Sequence, residues 1–121
     1  RLIAGTELPE RSVMGYLGEF EQLILFSVLL LEENAYGVAI RETIEERTGR
    51  AISSGAIYTA LGRLEERGLV CSQVGEAEGP GRPRKYYALE TAGARALLEA
   101  YSTMRTMAGG LLPRLARLAE E

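Results

Sequence analysis

The chain contains no His, no Asp and no Trp, and it has one Cys and one Lys in 121 residues. Most catalytic chemistry falls with those residue types. A Ser-His-Asp or Cys-His nucleophile needs an imidazole to take its proton, and the sequence has none. All seventeen acidic residues are Glu, so any carboxylate pair would be made of Glu alone; the sequence does not read as an enzyme. A structural zinc ion draws its ligands mainly from Cys and His, which a single thiol cannot supply, so neither a metal nor a cofactor is expected. Cys71 cannot close an internal disulfide, and in its apolar surroundings it is expected to be a small buried residue of a cytoplasmic protein. Long hydrophobic runs are also missing. Leu23 to Leu31 is the longest and is interrupted by Ser27, far short of the roughly twenty residues a bilayer requires, so no membrane association is expected. The chain begins at Arg1 without a signal-peptide pattern and reads as a trimmed or processed piece of a cytosolic protein.

What is present suits one folded domain. Apolar residues make up 46% and charged residues 26%, the balance of a globular chain with a single core. The formal net charge of −3 argues against indiscriminate coating of nucleic acid, but the total conceals the distribution. Residues 19–33 hold four Glu and no base, whereas residues 36–68 and 90–121 are each balanced. The one basic cluster is Arg82, Arg84 and Lys85, in a stretch from Gly79 to Tyr87 that has no acid. On charge alone it fits a solvated tip as well as a phosphate contact.

Residues 1–16 carry scattered Gly and Pro and read as an N-terminal arm. From Glu19 to about Glu32, Phe20, Leu23, Ile24 and their neighbours cover most of a helix circumference, so this helix is expected to be buried on two sides, by its own core and by a second subunit. A turn at Asn34 leads into a helix from about Tyr36 to Arg47, stopped by Gly49. In Ile52-Ser53-Ser54-Gly55 a Ser supplies the capping oxygen for a third helix that runs to Arg67. Ile57, Ala60, Leu61 and Leu64 share its buried arc. Opposite them lie Gly55, Thr59, Gly62 and Glu66, with Tyr58 and Arg63 on the flanks. Small residues at the N-terminal half, bordered by Tyr and Arg, suit close approach to another surface, where a merely solvated helix would carry Lys and Glu.

Two β-prone runs, Leu69 to Val74 and Lys85 to Leu89, flank a loop rich in Gly and Pro, which predicts a hairpin with a long basic tip. A short strand at Ala51-Ile52 is a candidate third edge. The fold expected is therefore mainly α with a small β-hairpin: a winged helix-turn-helix over residues 17–89, followed by a C-terminal dimerisation helix over residues 90–121. In the last segment Leu97, Tyr101, Met104, Ala108, Leu111, Leu115 and Leu118 recur at alternating spacings of four and three, a helix-pairing seam. Gly109-Gly110 and Pro113 are expected to break or kink it near residues 109–113, leaving one helix from about Thr91 to Ala108 and a short terminal one.

Several ordered blocks, Leu17-Gly18-Glu19-Phe20-Glu21, Ala35-Tyr36-Gly37-Val38-Ala39-Ile40, the run from Ser54 to Val70 and Gly81-Arg82-Pro83-Arg84-Lys85-Tyr86-Tyr87, resemble the PadR family of bacterial transcriptional regulators over roughly residues 17–108. The resemblance implies a homodimer in which the first and last helices pair, double-stranded operator DNA as the partner, repression as the usual outcome, and release by a small-molecule effector near the dimer interface. It matches Ser54 to Arg67 to the recognition helix and Arg82, Pro83, Arg84 and Lys85 to the wing. Drug-binding members stack planar ligands on a Trp of the last helix, which this chain lacks, so multidrug binding is not implied.

Residue patterns and resemblance together give a candidate DNA-binding set of Tyr36, Ser53, Ser54, Gly55, Tyr58, Thr59, Gly62, Arg63, Arg82, Pro83, Arg84 and Lys85. Each has a plainer alternative. Tyr58 could pack on Glu65 or the wing, Arg63 could pair with Glu66 one turn on, and Tyr36 could be an apolar anchor rather than a contact at a helix start that attracts phosphate. The candidate dimer interface is Phe20, Leu23, Ile24, Leu97, Tyr101, Met104, Ala108 and Leu111. The rival function is a winged-helix protein–protein interaction module without DNA binding, which suits the sequence pI of 5.2 but does not need three bases in an acid-free stretch of a hairpin.

Overall fold

The computed structural model describes residues 16–75 and 83–120. The expected arm up to residue 15 and most of the expected hairpin tip, Arg82 included, lie outside them. The described elements are α1 (Glu19–Leu31), a 3-10 turn (Glu32–Asn34), α2 (Gly37–Thr48), α3 (Ser54–Glu66), β1 (Val70–Val74), β2 (Lys85–Leu89), α4 (Thr91–Ala108) and α5 (Leu112–Ala119). This is the helix, helix, helix, hairpin order of a winged helix followed by a long helix.

Local chemistry sets the element ends. The Glu21 carboxylate accepts the Gly18 N–H at 2.8 Å, satisfying a donor at the start of α1, and Glu19 and Glu21 place negative charge in its first turn, where the helix dipole favours it. Ser53 Oγ accepts the Ala56 N–H at 3.1 Å and caps α3. At the end of α4, Gly109 turns to φ 49°, a conformation only glycine adopts readily. Pro113 then stands in the first turn of α5, where its missing N–H costs nothing.

Ile24, Leu25, Ile40, Ile44, Ile57, Leu61 and Leu64 from the first three helices form a fully buried centre, closed by Val70 and Tyr87 of the hairpin and Leu97 of α4. The hairpin is antiparallel, with Val70 opposite Leu89 and Val74 opposite Lys85. Its additional edge differs from the expectation. No strand forms at Ala51-Ile52; Tyr36, extended just before α2, makes an isolated bridge with Tyr86, and the Tyr87 N–H donates to Ala35 O at 2.8 Å. Ile52 instead packs its side chain partly against the core.

Three further expectations are corrected. Cys71 is exposed, because the two-stranded hairpin has one covered face: Val70 points into the core while Cys71 and its partner Ala88 point out. Ile24 (0% exposed) and Leu97 (4%) lie inside the chain's own core and are not available to a second subunit. The beginning of α4 is held against the hairpin. A Cβ on Gly93 would overlap the Leu69 carbonyl, and the Glu90 N–H donates to that carbonyl at 3.0 Å. The first turns of the heptad are thus used internally. From Tyr101 onward the described residues are exposed, apart from half-buried Ala108. Among the described residues no helix is long and apolar enough to cross a membrane, and no cluster of His, Cys and acidic side chains could hold a metal ion.

Candidate nucleic-acid interface

The outer face of α3 is open. A Cβ added at Gly55 or Gly62 would meet no atom within 4 Å, and Ser54, Thr59 and Arg63 are exposed beside them. Mid-helix glycine is unfavourable by about 1 kcal/mol relative to alanine, and the fold of the chain does not call for a glycine at position 62. Arg63 takes no part in the ion pairs of the described residues, which are Arg41–Glu45, Arg50–Glu19 and Arg67–Glu21; the alternative pairing with Glu66 does not form. Ser53 is exposed, but its hydroxyl is engaged in capping α3.

Tyr58 leans from α3 across the start of α2. Its ring occupies the space a side chain at Gly37 would need, with ring carbons and the hydroxyl 2.5 Å from a Cβ built there. Gly37 therefore seats Tyr58, which remains half-exposed at 48%. An open cleft of about 600 Å³ joins this corner to the hairpin, lined by Tyr36, Val38 and Glu42 from α2 and its approach, Tyr58 from α3, and Pro83, Arg84 and Lys85 from the wing. The Arg84 guanidinium lies 4.2 Å from the centre of the Tyr36 ring. Tyr86 meets the same ring edge-on at 5.6 Å and 69°. Lys85 is exposed at the cleft and takes part in none of those ion pairs.

Behind the cleft, Ser72 Oγ donates to Glu65 Oε2 at 2.6 Å. Burial raises the Tyr87 phenol above its ordinary titration range, and the nearby Glu65 and Tyr58 push it the same way. Far from the cleft, the hydrogen bond and charge of Arg50 lower Glu19, and Glu19 raises Arg50 in turn, which occupies Arg50 within the fold.

The structure thus gathers Tyr36, Tyr58, Pro83, Arg84 and Lys85 at one cleft and leaves Ser54, Gly55, Thr59, Gly62 and Arg63 on the open face of α3. Reasoning from sequence missed Gly37, Val38, Glu42 and Tyr86. The adjacency of Tyr36 and Gly37 at a helix start was the available signal for the first; Val38 and Tyr86 lie within the blocks that carry the family resemblance, and nothing local pointed to Glu42.

An exposed third helix beside a hairpin with a basic approach, on a three-helix core, is the architecture of winged-helix DNA-binding proteins. Residues 25–100 match the PadR-like family of transcriptional regulators, and the chain belongs to that family. Solved structures agree. A PadR family transcription regulator from Clostridium difficile R20291 is 28% identical, with 81% of this chain and 99% of that one aligned at a TM-score of 0.67. One from Eggerthella lenta DSM 2243 is 27% identical over 93% and 96% of the two chains at 0.62. A PadR-like transcription factor from Bacteroides fragilis is 25% identical over 87% and 95% at 0.65. No curated protein sequence matches this chain. The protein is a DNA-binding transcriptional regulator and not an enzyme; a pure protein-interaction module is not favoured.

Proposed function

We infer that the protein acts as a homodimer in the cytoplasm, binds a pseudo-palindromic operator, and represses transcription until a small molecule releases it. The observation that carries the reading is the open, glycine-bearing face of α3 next to a cleft that presents Arg84 and Lys85. In this reading residues 17–89 supply the DNA-binding head and residues 90–121 the pairing segment, with the first turns of α4 shared between them. Ser54, Gly55, Thr59, Gly62 and Arg63 approach the major groove, while Arg82, Pro83, Arg84 and Lys85 meet phosphates or the minor groove.

Dimerisation is supported by the apolar residues that the chain leaves uncovered. Phe26, Leu29 and Leu30 of α1 and Tyr101, Met104, Leu111, Leu115 and Leu118 of the last segment are all exposed, an arrangement that a second copy would bury. Phe20 and Leu23 are partly covered by the core and could contribute only their outer edges. A cavity of about 410 Å³ between the start of α1 and α4, lined by residues including Leu17, Gln22, Ala96 and Met104, supports an effector site next to that seam.

Footprinting on DNA from the protein's own promoter region tests the reading. Two recognition helices related by a twofold axis predict two protected half-sites with centres about 34 Å apart or a multiple of that. A single unpaired footprint, or none, would overturn it.

A further inference from the structure

We propose that Tyr36 is a positioning residue: its ring holds Arg84, and with it the base of the wing, where the guanidinium meets the DNA backbone. This rests on the DNA-binding reading above and assigns Tyr36 a role other than direct contact.

Backbone and side chain act separately at this corner. The bridge between Tyr36 and Tyr86 and the bond from the Tyr87 N–H to Ala35 O tie β2 to the start of α2 through main-chain atoms, whatever side chain stands at position 36. The ring of Tyr36 does something further. One of its faces carries the Arg84 guanidinium at 4.2 Å, and Tyr86 packs edge-on at 5.6 Å, which fixes the ring itself. Arg84 is exposed, and a long cationic side chain left unsupported must be ordered when it binds. Stacking on an aromatic face orders it beforehand. Gly37, the next residue, seats Tyr58, so the wing and the recognition helix take their register from adjacent residues.

The salt dependence of binding separates positioning from contact. Each phosphate neutralised by a cation contributes about 0.9 to the slope of log K against log salt, whereas a neutral phenol releases no counterion. If an Arg84 released from the Tyr36 ring no longer reaches its phosphate, as the positioning role requires, removing an uncharged ring lowers the slope. The experiment titrates wild type, Tyr36→Phe, Tyr36→Leu, Arg84→Ala and the Tyr36→Leu/Arg84→Ala double variant into a mixed-sequence duplex of about three helical turns over a salt series, with thermal midpoints in parallel. Tyr36→Leu is expected to reduce the slope as much as Arg84→Ala, by about one for each engaged wing. Tyr36→Phe should keep the wild-type slope, and the double variant should match Arg84→Ala alone. If Tyr36→Leu loses its thermal transition, Tyr36→Met repeats the test without an aromatic face. A wild-type slope in a folded Tyr36→Leu or Tyr36→Met protein, beside a reduced one in Arg84→Ala, overturns the proposal. So does a Tyr36→Phe protein that binds as weakly as Tyr36→Leu, which would make the hydroxyl itself a contact. A wild type with no salt-dependent binding would overturn the DNA-binding reading and this proposal with it.

Discussion

Replacing Gly62 by Glu separates docking from folding in a single substitution. The position is helical and exposed, and a Cβ there meets open space. Glu is a better helix former than Gly by roughly 0.5 kcal/mol or more, and like-charge repulsion from Glu65 and Glu66 on the following turn takes back about 0.2–0.5 kcal/mol for each. The two effects nearly cancel, so the thermal midpoint is expected to stay within about 3 °C of wild type. On DNA the consequences are different. A carboxylate held about 5 Å from a phosphate, at an effective dielectric near 20, costs about 3 kcal/mol, or roughly a hundredfold in affinity in each half-site. Anisotropy titration with the promoter duplex, beside calorimetric unfolding, measures both quantities. Near-wild-type binding would show that this face of α3 does not dock. A midpoint lowered by many degrees would show that the space above Gly62 is not open.

Gly37→Ala places a methyl where the Tyr58 ring now sits; because Tyr58 is half-exposed and can rotate away, stability is expected to fall by about 1 kcal/mol or less while duplex affinity drops, as titration and thermal unfolding together will show. Leu115 is exposed and Leu97 buried, so Leu115→Glu is expected to shift the sedimentation equilibrium to monomer with the fold retained, whereas Leu97→Ala should lower chemical stability by about 2–5 kcal/mol. Tyr87 is held protonated by burial and by the nearby Glu65 and Tyr58. Its folded-state pKa therefore lies above the unfolded value of 10.0, so the stability it supplies is complete below about pH 10 and is lost as pH rises through the folded value. Urea unfolding across that window should decline less steeply for Tyr87→Phe than for wild type.

Local chemistry made much of the fold legible. The Ser53 cap, the stop at Gly49, and the break at Gly109 followed by Pro113 each act within a few residues, and α4 spans Thr91–Ala108 as the pattern predicts. What depended on distant partners was not legible. Heptad spacing tells that Leu97 and Met104 share a stripe, but not that the first of them is buried in the chain's own core. Apolar neighbours around Cys71 say nothing about which face of β1 is covered. The candidate site divides in the same way. The open face of α3 follows from helical periodicity within one segment, whereas the seating of Tyr58 on Gly37 and of Arg84 on Tyr36 joins residues brought together only by the packed fold.

The most direct test of DNA binding by the dimer through α3 and the wing is the salt dependence of its affinity for a promoter duplex. Six wing bases in a dimer, Arg82, Arg84 and Lys85 from each subunit, predict a slope of log K against log salt near −5 if each meets a phosphate at about 0.9 apiece. It should weaken by about two when Arg84→Ala removes one contact from each wing. A slope close to zero, or one that Arg84→Ala leaves unchanged, would contradict the account.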